Sequence, residues 1–157
     1  MDVARPTIQD TLISIAFTIS ERSTCSRQNC GSVIATVDGV ILSSGYNGTI
    51  SGAEHCNHDC SCGGENSFPA LHFESCSANP DNSCTKAVHA EANAVFFAAR
   101  KGVSTEGAVI YCTTAPCINC AKAIIQSGIK AVFFKDLYRG TEGLDLLQSA
   151  GIEVYQA

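Results

Sequence analysis

From Val88 onward the chain changes character repeatedly, and this alternation constrains the fold more than any other feature. His89-Ala-Glu-Ala-Asn-Ala-Val-Phe-Phe-Ala-Ala-Arg is helical by composition and stops at Lys101-Gly102. Ala108-Val-Ile-Tyr-Cys-Thr reads as a buried strand. Pro116 opens a helix that runs to Gln126 and closes at Ser127-Gly128. A strand over Ala131-Val-Phe-Phe, a short helix from Leu144 to Ser149 and a last strand at Ile152-Glu-Val-Tyr complete the pattern. Strands alternating with helices require crossover connections, which predicts a mostly parallel half-sheet with helices on both faces. Upstream, Ile8, Leu12, Ile15 and Ile19 recur at helical spacing after Pro6, and Val33–Val37 and Val40–Ser44 read as a hairpin closed by Asp38-Gly39. The expectation is one α/β domain over 1–157 with five strands. Residues 45–86 are rich in Gly, Ser, Asn, Cys and His with little periodicity. So long a segment is functional, disordered or clamped by something covalent or metallic.

Composition excludes several classes. With 157 residues and 45% hydrophobic content the chain suits a single core. A net charge of −5 and only 16% charged residues argue against a long phosphate-gripping surface and against a disordered tail. No apolar run approaches the roughly 20 residues of a membrane span. Met1 to Pro6 lacks the basic and apolar segments of a secretory signal, so a cytoplasmic protein is expected. Ten Cys and four His in such a setting point to metal, thiol chemistry or burial rather than to disulfides. Cys30 and Cys112 lie in strand-like apolar runs and read as core.

Two short segments carry chemistry: His89-Ala90-Glu91 and Pro116-Cys117-Ile118-Asn119-Cys120. Cys117 and Cys120 share one face at the start of a helix, and His89 starts another. If the helices pack together, one imidazole and two thiolates converge and leave the fourth position of a tetrahedral Zn²⁺ open, as a catalytic site requires. Helix N-termini also favour thiolates. Glu91, two residues beyond His89, is placed to reach metal-activated water rather than the metal, and enclosure should raise its pKa. Cys-x-x-Cys alone is common, and His89 alone would read as a cap or core histidine. Together the two motifs form the signature of zinc-dependent deaminases.

On these motifs, and on Ser23-Thr-Cys, Gly45-Tyr-Asn-Gly, Ser51-Gly-Ala-Glu-His-Cys, Val88-His-Ala-Glu-Ala-Asn-Ala and Ala150-Gly-Ile-Glu-Val, the chain resembles the deoxycytidylate (dCMP) deaminases of the bacterial and phage type, within the cytidine deaminase superfamily. The resemblance implies a three-layer αβα domain with a five-stranded mixed sheet and a Cys/His-rich insertion at about 53–86. It implies hydrolysis of dCMP to dUMP and ammonia by zinc-activated water, supplying the thymidylate precursor. Glu91 would protonate N3 and then carry a proton to the departing amine. By the family pattern Asn47 contacts the deoxyribose or base, the backbone at Ala90 helps hold the pyrimidine, and Tyr138 is an aromatic beside the base. Ser23 and Arg27 are candidates for the 5′-phosphate; Arg27 reads equally as a surface charge. Two departures stand out: Ala92 where Gln is usual, and Cys30 where Val is customary.

The resemblance also implies a homohexamer activated by dCTP with Mg²⁺ and inhibited by dTTP. Gly45, Tyr46 and Gly48 are the candidate effector loop, because glycines let backbone N–H groups approach a triphosphate. Phe97 and Arg100 could form a subunit contact, with Phe97 otherwise core. Cys25 and Cys56 match positions that bind a second, structural zinc in relatives, and Cys84 with one further ligand would complete it; His55, His58, Cys60, Cys62, His72 and Cys76 offer more donors than one site needs. Unmetallated buried cysteines are the alternative. Competing functions are a cytidine/deoxycytidine or polynucleotide cytosine deaminase, disfavoured for the latter by the acidic charge and absent Trp, and a non-enzymatic zinc-binding interaction module, which would have no use for Glu91.

Overall fold

The computed structural model describes residues 5–25, 28–53, 55 and 86–157. It opens with α1 (Ile8–Ser20), where Thr7 and Asp10 form a reciprocal capping box. The antiparallel strands β1 (Gly31–Ala35) and β2 (Ile41–Tyr46) follow, joined through a turn at Asp38-Gly39 in which Gly39 takes φ 86°. A two-residue strand β3 (Gly48–Thr49) pairs with β4 (Ala87–Val88), so the two ends of the long irregular stretch meet. The remainder is α2 (Ala90–Arg100), β5 (Val109–Thr114), α3 (Ile118–Gln126), β6 (Ala131–Asp136), α4 (Glu142–Ser149) and β7 (Glu153–Gln156).

The main sheet has the order β2-β1-β5-β6-β7. As the alternation predicts, β5, β6 and β7 run parallel, while β1 is antiparallel to both of its neighbours. The mixed five-stranded sheet with helices on both faces is therefore borne out. Residue alternation on β1 divides the core. Val33 and Ala35 pack with Leu12, Ile13 and Ala16 of α1, whereas Ile34 faces Ala94 of α2, Ala121 and Ile124 of α3 and Leu147 of α4.

Three expectations change. The buried stripe of α1 is Leu12, Ile13, Ala16 and Ser20, with Ile8 exposed. The cause is close approach: a Cβ on Gly31 would collide with the backbone of Ala16 and Ser20, so small residues face the sheet. Cys112 is core, but Cys30 sits one residue before β1 and is only part-buried. Phe97 is 38% exposed beside Phe96 at 53%, because Ala90, Ala94 and Ala98 supply the buried face of α2.

Candidate metal-dependent active site

The carboxyl end of β5, the entry to β1 and the segments after β2 and β6 all meet at one edge of the sheet, where α2 and α3 begin. Ligand sites in α/β sheets form at such strand ends. His89 is the N-cap of α2 and Cys117 the N-cap of α3, both with extended backbone, and neither side chain caps its helix. Each gives up the hydrogen bond that Ser or Asp would make there and turns toward the other. His89 Nδ1 lies 3.4 Å from the Sγ of both Cys117 and Cys120. All three donor atoms fall within 4.8 Å of one another.

This geometry fits a shared ion. Around tetrahedral zinc, with bonds of about 2.0 Å to nitrogen and 2.3 Å to sulfur, an imidazole nitrogen and a thiolate sulfur stand roughly 3.5 Å apart. The protonation pattern agrees. The hydrogen bond from Cys120 pulls the Cys117 thiol down to about 3 against burial, with His89 helping. Cys120 is raised correspondingly, because it keeps the proton the pair shares.

Glu91 follows one residue into α2 and is 7% exposed. The Cys120 thiol donates to its Oε2 at 3.6 Å. Burial pushes the Glu91 carboxyl above its ordinary value, offset in part by its own amide and by His89. An acid of this kind is suited to hold a proton and release it.

A cleft opens onto these groups and is lined by Asn47, Ala90, Tyr138 and Cys25 as well as by His89, Glu91 and Cys117. Asn47 is fixed in place: Ser23 Oγ and the Cys30 amide donate to its Oδ1 at 2.7 and 2.8 Å, and its Nδ2 donates to the Gln28 carbonyl at 2.8 Å. Ser23 is therefore behind Asn47 and does not line the cleft. Arg139, Gln28, Thr114 and Cys30 do line it, and sequence reasoning missed all four. Arg139 follows Tyr138 directly, and that adjacency was the available signal; nothing marked Gln28 or Thr114. Gln28 Nε2 donates to Thr114 Oγ1 at 3.2 Å, and burial raises Cys30 to about 11, so it stays a thiol.

Gly45 has a packing reason: a Cβ would strike the backbone of Ala90 and Ala94. At Gly48 it would meet Thr24 Oγ1, and the Tyr46 carbonyl accepts from Asn93. His55 is exposed. Arg27, Cys56, Cys84, His58, Cys60, Cys62, His72 and Cys76 lie outside the described residues.

A part-open triad of metal donors with a buried acid beside it, at the strand ends of an α/β sheet, defines a metal-assisted hydrolase site. Residues 6–136 match the cytidine and deoxycytidylate deaminase zinc-binding region, and the chain belongs to this family of zinc-binding deaminases. It is 37% identical over 169 residues to the deoxycytidylate deaminase of Enterobacteria phage T2, covering 92% of this chain and 89% of the relative. The deoxycytidylate deaminase of Mycobacterium phage D29 is 33% identical, with 84% and 97% covered. The dCMP deaminase of cyanophage S-TIM5, solved with dCMP and dUMP, superposes with a TM-score of 0.74 at 32% identity, covering 98% of this chain and 99% of that one. Among the described residues no helix is long and apolar enough to cross a membrane.

Proposed function

We propose that the protein hydrolyses dCMP to dUMP and ammonia. The observation that carries this is the buried Glu91 carboxyl, its pKa raised by that burial, beside the His89, Cys117 and Cys120 donors, in a chain similar to the S-TIM5 enzyme solved with dCMP and dUMP. His89, Cys117 and Cys120 would hold the ion. Zinc bound there supplies Lewis acidity, which makes water a usable nucleophile near neutral pH. Glu91 accepts a proton from that water, delivers one to N3 of the cytosine and passes the next to the exocyclic amine as it leaves. Asn47, held by Ser23, Cys30 and Gln28, presents its amide to the sugar or base, and Tyr138 lies along the ring. The 5′-phosphate needs a cation in an acidic chain, and Arg139 in the cleft wall supplies one with the planar donor fork that phosphate prefers.

The same reading carries a cytoplasmic homohexamer, activation by dCTP with Mg²⁺, inhibition by dTTP through the Gly45–Gly48 segment, and a second, structural zinc at Cys25, Cys56 and Cys84. The support for these is the resemblance to the phage and bacterial enzymes. Ammonia release measured side by side from cytosine, deoxycytidine, dCMP and dCTP tests the central claim: dCMP is turned over best, and an equal or better rate on the nucleoside overturns it.

A further inference from the structure

The reacting groups and the proposed substrate contact Asn47 sit on different elements, and β2 has no sheet partner on its outer side among the described residues. Two side-chain hydrogen bonds join it to α2. Ser43 Oγ donates to the Ala94 carbonyl at 2.8 Å, toward the middle of the helix. Asn93 Nδ2 donates to the Tyr46 carbonyl at 2.8 Å, at the peptide that leads directly into Asn47. Asn93 itself lies one helical turn from His89, whose carbonyl accepts the Asn93 amide at 3.0 Å. One residue therefore touches the backbone of both a metal donor and the residue preceding Asn47. Gly45 lets the two elements come this close.

We infer that Asn93 is a positioning residue: through the Tyr46 carbonyl it fixes the distance between Asn47 and the Glu91–His89 end of α2. It touches neither substrate nor metal, and acts by holding two contacts on one substrate in register. This rests on the proposed reaction, in which Asn47 contacts substrate. Misplacement by about an ångström can cost on the order of a hundredfold in rate, so loss of one such tie is expected to cost about ten- to a hundredfold in kcat/KM.

Asn93→Asp keeps the shape but turns a donor into an acceptor facing a carbonyl oxygen; Asn93→Ala removes the group. Ser43→Ala cuts the other tie and serves as the control. With zinc content equal to that of the unaltered protein, both Asn93 variants should raise KM for dCMP and weaken dUMP binding in calorimetry, Asp more than Ala. Ser43→Ala should lower Tm without moving KM. Equal KM in all four proteins, or the same KM shift in Ser43→Ala, overturns the inference. Hydrogen exchange reads the tie without catalysis: in Asn93→Ala the Asn47 amide should exchange faster than in Ser43→Ala, and equal rates also overturn it. Failure of the unaltered protein to deaminate dCMP would refute the proposed function while leaving that exchange result to be read separately.

Discussion

At the scale of single residues, the acid and the cation make the sharpest expectations. Glu91→Gln should keep zinc bound, since Glu91 is not one of the three donors, while ammonia release falls by about 10²–10⁴-fold; retained turnover with full metal content would remove Glu91 from its role. The same substitution has a pH signature in the chelated protein. Burial holds the Glu91 carboxyl above its ordinary value of 4.5, so over that interval the folded chain keeps a proton the unfolded chain has released. Stability is therefore lost as pH rises from the unfolded value through the folded one, and none is lost below the unfolded value. Metal-free Glu91→Gln should then melt above the unaltered protein at neutral pH and converge with it near about pH 4. A melting difference that does not change with pH would assign the effect to packing. Arg139→Gln should raise KM for dCMP by at least about tenfold, the scale of a charge-assisted hydrogen bond, and leave deoxycytidine unaffected. A parallel loss on both substrates would place Arg139 outside the phosphate contact.

At the scale of elements, the seat of α2 on β2 depends on a glycine. A methyl group at Gly45 would enter the backbone of Ala90 and Ala94, which cannot yield as a flexible side chain would. Gly45→Ala should cost about 1–3 kcal/mol or more and lower Tm, and a melting point within a degree of the original would show the contact to be slack. This is also where sequence and structure can be weighed against each other. The alternation after Val88 was legible because parallel strands with crossover helices carry strong periodic patterns, and His89, Glu91, Cys117 and Cys120 were legible because each lies within a local motif. The buried stripe of α1 was legible only in part: Leu12 is buried and Ile15 and Ile19 pack against the same cluster, but Ile8 is exposed, and the approach to Gly31 adds Ala16 and Ser20, a tertiary fact with no local trace. Cys30 was misread for a related reason: its place in an apolar run is clear, but whether that run's first residue lies inside the sheet or at the cleft is decided by its pairing with β5. The β3–β4 pair joins residues far apart in sequence, so no periodicity could disclose it.

At the scale of the whole molecule, the donors come from two strand–helix units, β4–α2 and β5–α3, whose helix starts are held together only by the packed fold. Chelation should inactivate the protein and lower its Tm, and added zinc should restore both, because an ion that binds only the folded chain stabilises it by mass action. A chelated sample with an unchanged melting curve would mean the ion contributes nothing to holding α2 against α3. Placing His89 and the Cys117–Cys120 pair on separate units also has a consequence for biogenesis. A growing polypeptide that has emerged only as far as α2 possesses one of this site's three donors, His89, and cannot capture the ion in this geometry. Loading must wait for the sulfur pair to be translated and docked, so metallation would report completed assembly of the domain rather than guide its early steps.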